Sequence, residues 1–133
     1  MKTMVKTILY VDDDPDDREL LQDVVNQLNP EVNVEFAENG LQALDYLNKK
    51  KESVSQPCLI VLDINMPLLD GKETYKKIKD DQELNTVPII VFTSSRNPND
   101  KAMFNNLGVE FISKPHDYAH MHKIVSHMIN FCG

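Results

Sequence analysis

No stretch of this 133-residue chain is apolar for anything near the length of a membrane span. Met1-Lys2-Thr3 does not open a basic-then-apolar signal peptide either. With neither feature, the expected location is the cytoplasm, without membrane attachment. Positive charge is also scarce: 14 Lys and Arg against 21 Asp and Glu leave a net charge of -7. A nucleic-acid footprint wants the opposite sign, so direct DNA or RNA contact is not expected. The lysine-rich pieces, Lys49-Lys50-Lys51 and Lys76-Lys77-Lys79, read as solvated faces near helix ends. Only two cysteines occur, Cys58 and Cys132. They are too few and too far apart for a disulfide scaffold, and both read as reduced, small hydrophobes. Gly40, Gly71 and Gly108 fall at turns or caps, and no G-x-x-x-x-G-K phosphate cradle exists, which disfavours a nucleotide site. There is no internal repeat and no Gly/Pro linker. Residues 1–133 are expected to form one domain, with no room after Gly133 for an output domain.

What is present is a set of short apolar runs, each ending on reactive residues. Ile8-Leu9-Tyr10-Val11 runs into Asp12-Asp13-Asp14, and Leu59-Ile60-Val61-Leu62 into Asp63. Ile89-Ile90-Val91-Phe92 runs into Thr93-Ser94-Ser95, and Phe111-Ile112-Ser113 into Lys114-Pro115. Short β-branched runs between turn signals are strands buried on both faces, as in a parallel sheet covered by helices. The carboxyl ends of such strands share one edge, where ligands bind. Carboxylates, a hydroxyl and an ammonium group should therefore converge there.

Strand and helix signals alternate along the chain. Residues 6–11 read as the first strand, and Asp14 as an N-cap with Pro15 at the first helical position. Leu20, Leu21, Val24, Val25 and Leu28 form the stripe of the first helix, which Asn29-Pro30 ends. Val32, Val34 and Phe36 alternate as a second strand. Asn39-Gly40 opens a second helix with Leu41, Leu44 and Leu47 facing inward, and residues 49–57 read as a loop. Residues 58–63 are the third strand. Met66 to Gly71 is a turn, and about 72–80 the third helix. Pro88 opens the fourth strand, where its missing N–H costs least. Asn97-Pro98 starts a fourth helix with Met103, Phe104 and Leu107 as its stripe, and Gly108 stops it. Residues 109–113 and 117–131 read as the fifth strand and helix. The alternation predicts an α/β fold, a parallel sheet with right-handed crossovers, which a doubly wound five-stranded order 2-1-3-4-5 fits. Its switch point lies between strands one and three, where Asp12, Asp13 and Asp63 stand.

Three neighbouring carboxylates repel one another unless a cation intervenes. Mg²⁺ suits them, being hard, oxygen-loving and able to pair carboxylates with a phosphate. It would also let an aspartate attack a phosphoryl group by neutralising the equatorial oxygens. Lys114 can add a point charge to those oxygens and Thr93 a hydrogen bond. Each residue also has a plainer reading alone: Asp12 to Asp14 as cap and first-turn acids, Asp63 as a turn residue, Thr93-Ser94-Ser95 as a cap, and Lys114 as a loop lysine.

Taken together, the motifs Leu9-Tyr10-Val11-Asp12-Asp13, Asp63-Ile64-Asn65-Met66-Pro67 with Asp70-Gly71, Val91-Phe92-Thr93 and Lys114-Pro115 resemble bacterial two-component response-regulator receiver domains. The resemblance spans nearly the whole chain and implies a flavodoxin-like fold with helices on both faces of the sheet. It implies Asp63 as the phosphoacceptor and Asp13 as a direct Mg²⁺ ligand, with Asp12 through water or as a second ligand. Asn65 would give its backbone carbonyl to the metal, for which Mn²⁺ can substitute. Thr93 would turn toward the phosphoryl group, Lys114 would pair with it, and Phe111 would hold the aromatic switch position. Asp14-Pro15-Asp16-Asp17 and the Thr93-Ser94-Ser95 run followed by Asn97-Pro98 resemble the stand-alone branch that includes partners of bacterial phytochromes. The implied activity is to accept a phosphoryl group from a histidine kinase or histidine phosphotransfer protein and signal by changed association. Two competing readings are a small-molecule phosphatase of the haloacid-dehalogenase type and a phosphorylation-independent interaction domain. The first wants an acid/base aspartate where Asn65 stands.

The histidines His116, His120, His122 and His127 crowd the last helix and read as surface residues, since no further ligands complete a metal site. On that helix Tyr118, Met121, Ile124, Val125, Met128, Ile129, Phe131 and Cys132 spread over about 160°, wider than a usual core stripe. The surplus suggests association through helix four, strand five and helix five, with a homodimer as the simplest form.

Overall fold

The computed structural model describes residues 6–51, 56–66 and 70–133. Strands and helices alternate: β1 (Lys6–Val11), α1 (Pro15–Leu28), β2 (Val32–Ala37), α2 (Gly40–Lys50) and β3 (Leu59–Leu62) come first. Then follow α3 (Gly71–Asp80), β4 (Ile89–Thr93), α4 (Pro98–Asn106), β5 (Glu110–Ser113) and α5 (Tyr118–Asn130). The strands form one sheet in the order β2-β1-β3-β4-β5, every pair parallel.

Strand periodicity divides the core into two layers. Leu9, Val11, Ile60, Leu62, Ile89 and Val91 point to one face, with Ala43, Leu47, Ile78 and Phe104 from α2, α3 and α4. Ile8, Tyr10, Leu59, Val61, Ile90 and Phe92 point to the other, with Leu21, Val24 and Val25 of α1 and Met121, Val125 and Met128 of α5. β1, β3 and β4 are apolar on both faces because both are covered. The register pairs Val11 with Leu62 and Leu62 with Val91, so Asp12 and Asp63 leave the sheet side by side.

The helix starts follow from their caps. Asp14 accepts from the Asp16 and Asp17 N–H groups ahead of Pro15, and Asn39 accepts from Gln42. Asn97 accepts from the Asn99 N–H ahead of Pro98. Gly108 ends α4 with φ +75, a conformation that side chains resist. Gly71 opens α3 against the preceding strand's exit: a Cβ there would collide with the Ile64 backbone and the Asp63 carbonyl oxygen.

Several expectations are corrected. Leu41 is 54% exposed and Ala43 fills its expected place, because at 100° per residue position 41 lies off the arc shared by 43, 44 and 47. Leu20 lies at the rim of the buried arc of α1 and Leu28 on that arc in the last position of the helix, and both remain exposed. Leu107 is 53% exposed, having left the helix to become the C-cap of α4. The third strand ends at Leu62 rather than Asp63, α2 runs on through Lys50, and β5 begins at Glu110. Residues 52–55 of the expected loop and 67–69 of the expected turn lie outside the described residues.

The reading of Cys58 and Cys132 as reduced is also wrong: they form a disulfide, with Cα atoms 5.1 Å apart and a sequence separation of 74. Cys58 precedes β3 and Cys132 follows α5, so both stand at the sheet edge opposite the strands' carboxyl ends. Topology removes the sequence distance. Among the described residues, no helix is long and apolar enough to cross a membrane.

Candidate functional site

At the carboxyl ends of β1 and β3, Asp12, Asp13 and Asp63 each place a carboxylate oxygen within 4.8 Å of the others. Asp12 and Asp63 are buried and Asp13 is exposed, so the group opens to solvent on one side. Three carboxylate ligands, with an exposed side for water, suit a divalent cation.

Asp63 is the hub. Oδ1 accepts the Thr93 hydroxyl at 2.8 Å and the Asn65 backbone N–H at 3.2 Å. Oδ2 accepts from Lys114 Nζ at 3.4 Å. Burial pushes the Asp63 carboxyl above the usual carboxylate range. Lys114 and the Thr93 hydroxyl oppose that, and the charge of Asp12 reinforces it.

Lys114 lies closer to two other acids than to Asp63, donating to Asp12 Oδ2 at 2.7 Å and Asp17 Oδ2 at 2.8 Å. Burial alone would lower its pKa, yet the bonds to Asp12 and Asp17 and the charge of Asp63 raise it, so it stays an ammonium ion. Asp12 is further held by Tyr10, whose hydroxyl donates to Oδ2 at 2.8 Å. That phenol is pushed far above its ordinary range by burial and then by Asp12.

The structure therefore brings together Asp12, Asp13, Asp63, Thr93 and Lys114, with the Asn65 backbone against Asp63. Phe111 is not among them. It is half-buried in the α4 layer, with its ring 6.2 Å from that of Phe104. Ser94 is exposed. Three histidines are tied to the surface, His116 to Arg96, His120 to Asp117 and His127 to Glu110.

Sequence reasoning missed Tyr10 and Asp17. The signal for Tyr10 was its place two residues before Asp12, on the same face of one strand. For Asp17 it was the first turn of α1, which begins directly above that strand. Neither position announces its partner Lys114, which is 97 residues from Asp17.

The model of the response regulator receiver domain matches residues 8–126. The response regulator Rcp1 of Synechocystis sp. is 30% identical over 129 residues, covering 95% of this chain and 88% of that protein. A solved structure of the phosphorylated cyanobacterial phytochrome response regulator RcpA superposes with a TM-score of 0.84 at 30% identity, over 96% of this chain and 93% of that one. The Mn²⁺-bound form of Rcp1 superposes with a TM-score of 0.82 at 30% identity, over 95% and 93%.

Proposed function

The chain belongs to the response regulator receiver domain family, a phosphorelay signalling family, and we propose that in it Asp63 is the phosphoacceptor and Mg²⁺ the working cation. The carrying observation is that, among the carboxylates of the described residues, Asp63 is the one that meets both the Thr93 hydroxyl and the Lys114 ammonium while sharing the acidic group with Asp12 and Asp13. Mg²⁺, held by Asp12, Asp13, Asp63 and the Asn65 carbonyl, would neutralise charge on the phosphoryl oxygens; Mn²⁺, which Rcp1 binds, would substitute. The rest falls to the chain's own residues. An Asp63 oxygen attacks phosphorus, the P–N bond of a donor phosphohistidine breaks, and the imidazole leaves with a proton. Lys114 and Thr93 then give charge and a hydrogen bond to the transferred oxygens. Moving Thr93 toward them frees space for Phe111 to turn inward, and partner affinity changes.

The proposed donor is a histidine kinase or histidine phosphotransfer protein, and the likeness to RcpA makes a phytochrome-type kinase the first to test. A single signalling domain without small-molecule turnover completes this reading. Acetyl phosphate with Mg²⁺ should add one phosphoryl group, seen by intact mass. EDTA and Asp63→Asn should abolish it, and hydroxylamine should remove it. An adduct that survives hydroxylamine overturns the assignment.

Output by association on α4, β5 and α5 is part of the same reading. Most of the broad face of α5 is internal: Met121, Val125, Met128 and Cys132 are buried, while Tyr118 and Phe131 are exposed. Phe131 with the exposed Leu107 leaves a small apolar surface for a second copy. Sedimentation should show weak dimers that acetyl phosphate strengthens. A strict monomer in both states limits output to other partners.

A further inference from the structure

Thr93 Oγ1 makes two hydrogen bonds, donating to Asp63 Oδ1 at 2.8 Å and accepting the Ser95 backbone N–H at 3.2 Å. Ser95 is gripped from its other side, its hydroxyl donating to Asp100 Oδ2 at 2.9 Å. The second oxygen of Asp100 takes Lys72 Nζ at 2.6 Å. Asp100 stands in the first turn of α4 and Lys72 in the first turn of α3. A continuous polar chain thus runs from the acidic group to two helices.

Acceptor chemistry does not explain the outer half of that chain. A first-turn acid usually sits in water and answers the helix dipole, yet Asp100 is 6% exposed. A buried carboxylate is costly unless paired. Both partners of Asp100 come from outside its helix, and the bond from Lys72, ahead of that from Ser95, holds its carboxyl below the ordinary range.

We propose that Asp100 is a positioning residue: tied to Lys72, it holds Ser95 and the β4–α4 loop in the resting arrangement and so sets how readily Thr93 turns toward a phosphoryl group. This rests on Asp63 being the acceptor. When the Thr93 hydroxyl moves to the phosphoryl oxygens it abandons the Ser95 N–H, and the loop must rearrange. The grip of Asp100 on Ser95 belongs to the resting state, so removing it shifts the equilibrium toward the switched state.

Beryllium fluoride with Mg²⁺ is the probe, because it mimics the phosphoryl group without turnover. The readout is its concentration at half-completion of the amide shifts of residues 94–97. Asp100→Ala should lower that concentration about three- to tenfold, the range of one net hydrogen bond. Lys72→Gln should lower it by a smaller factor, and the double variant no further than Asp100→Ala, since both act through one network. Lys72 is a surface side chain, so its variant decides the matter if Asp100→Ala does not fold. Unchanged or higher half-points in the single variants, with a normal wild-type response, overturn the proposal alone. A wild type that neither responds to beryllium fluoride nor gains a phosphoryl group from acetyl phosphate removes the acceptor reading and this proposal with it.

Discussion

A carboxylate that is 5% exposed and faces one that is 0% exposed must be neutralised or matched by positive charge. At Asp63 and Asp12 the match is Lys114, whose bonds favour Asp12 and Asp17 over Asp63. Asp63 is thereby left under-compensated, which is why burial dominates its raised pKa. In the folded protein it holds a proton more tightly than in the unfolded chain. Its contribution to stability is then fully present below the ordinary carboxylate range and is lost as pH rises through its raised folded value. Asp63→Asn carries no such charge. In EDTA its melting temperature should match wild type near the acid end and exceed it at neutral pH, by about 1 kcal/mol in stability terms, a usual size for one substitution. Saturating Mg²⁺ should narrow the gap by stabilising wild type more than the variant, which has lost one of the carboxylate ligands. A variant less stable than wild type at neutral pH would show that Lys114 already over-compensates the buried charge.

Between elements, one tight fit is at Gly71, where the start of α3 lies against the exit of β3. Gly71→Ala would force its methyl group into the Ile64 backbone and the Asp63 carbonyl oxygen. Backbone cannot give way as a flexible side chain does, so the expected loss is about 1–3 kcal/mol. Phosphorylation by acetyl phosphate should slow as well, because the strand end that aims Asp63 is displaced. Equal melting temperature and rate would show that α3 is free to back away. This contact was not legible in Asp70-Gly71, which announces a turn and a cap but not what the turn presses on. Legible were the elements themselves, through Asp14-Pro15, Asn39-Gly40, Asn97-Pro98 and Gly108, and the convergence of Asp12, Asp63, Thr93 and Lys114 at one edge. Less legible was which face of a helix is buried. Leu28 lies on the same helical arc as the buried Leu21, Val24 and Val25, and only tertiary packing leaves it exposed, whereas Leu41 sits off its arc and Leu107 past the helix end. Of the polar links, Tyr10–Asp12 was within reach of strand periodicity, whereas Lys114–Asp17 and Ser95–Asp100 were silent, since residue type does not announce a partner in another segment.

At the scale of the whole molecule, the two ends of the sheet carry different tasks. The carboxyl ends of the strands hold the acidic group; the opposite edge is tied by Cys58–Cys132. The tie was readable in principle once the topology was known. A helix following the last strand returns antiparallel to it and ends near where the strands begin, beside Cys58. Linking residues 74 apart restricts the unfolded chain, and loop-closure entropy predicts about 4 kcal/mol for a loop of that size, with measured gains often smaller. The cross-link also holds the end of α5 against the layer of α1 and the sheet. Replacing both cysteines by serine, or reducing wild type with dithiothreitol, should therefore lower the melting temperature by similar amounts. Phosphorylation by acetyl phosphate should continue at nearly the same rate, because no residue of the acidic group touches that edge. A melting temperature that dithiothreitol leaves unmoved, while free thiols appear on titration, would mean that packing of Met121, Val125 and Met128 already fixes α5. A phosphorylation rate falling in step with reduction would instead tie the two ends of the sheet together.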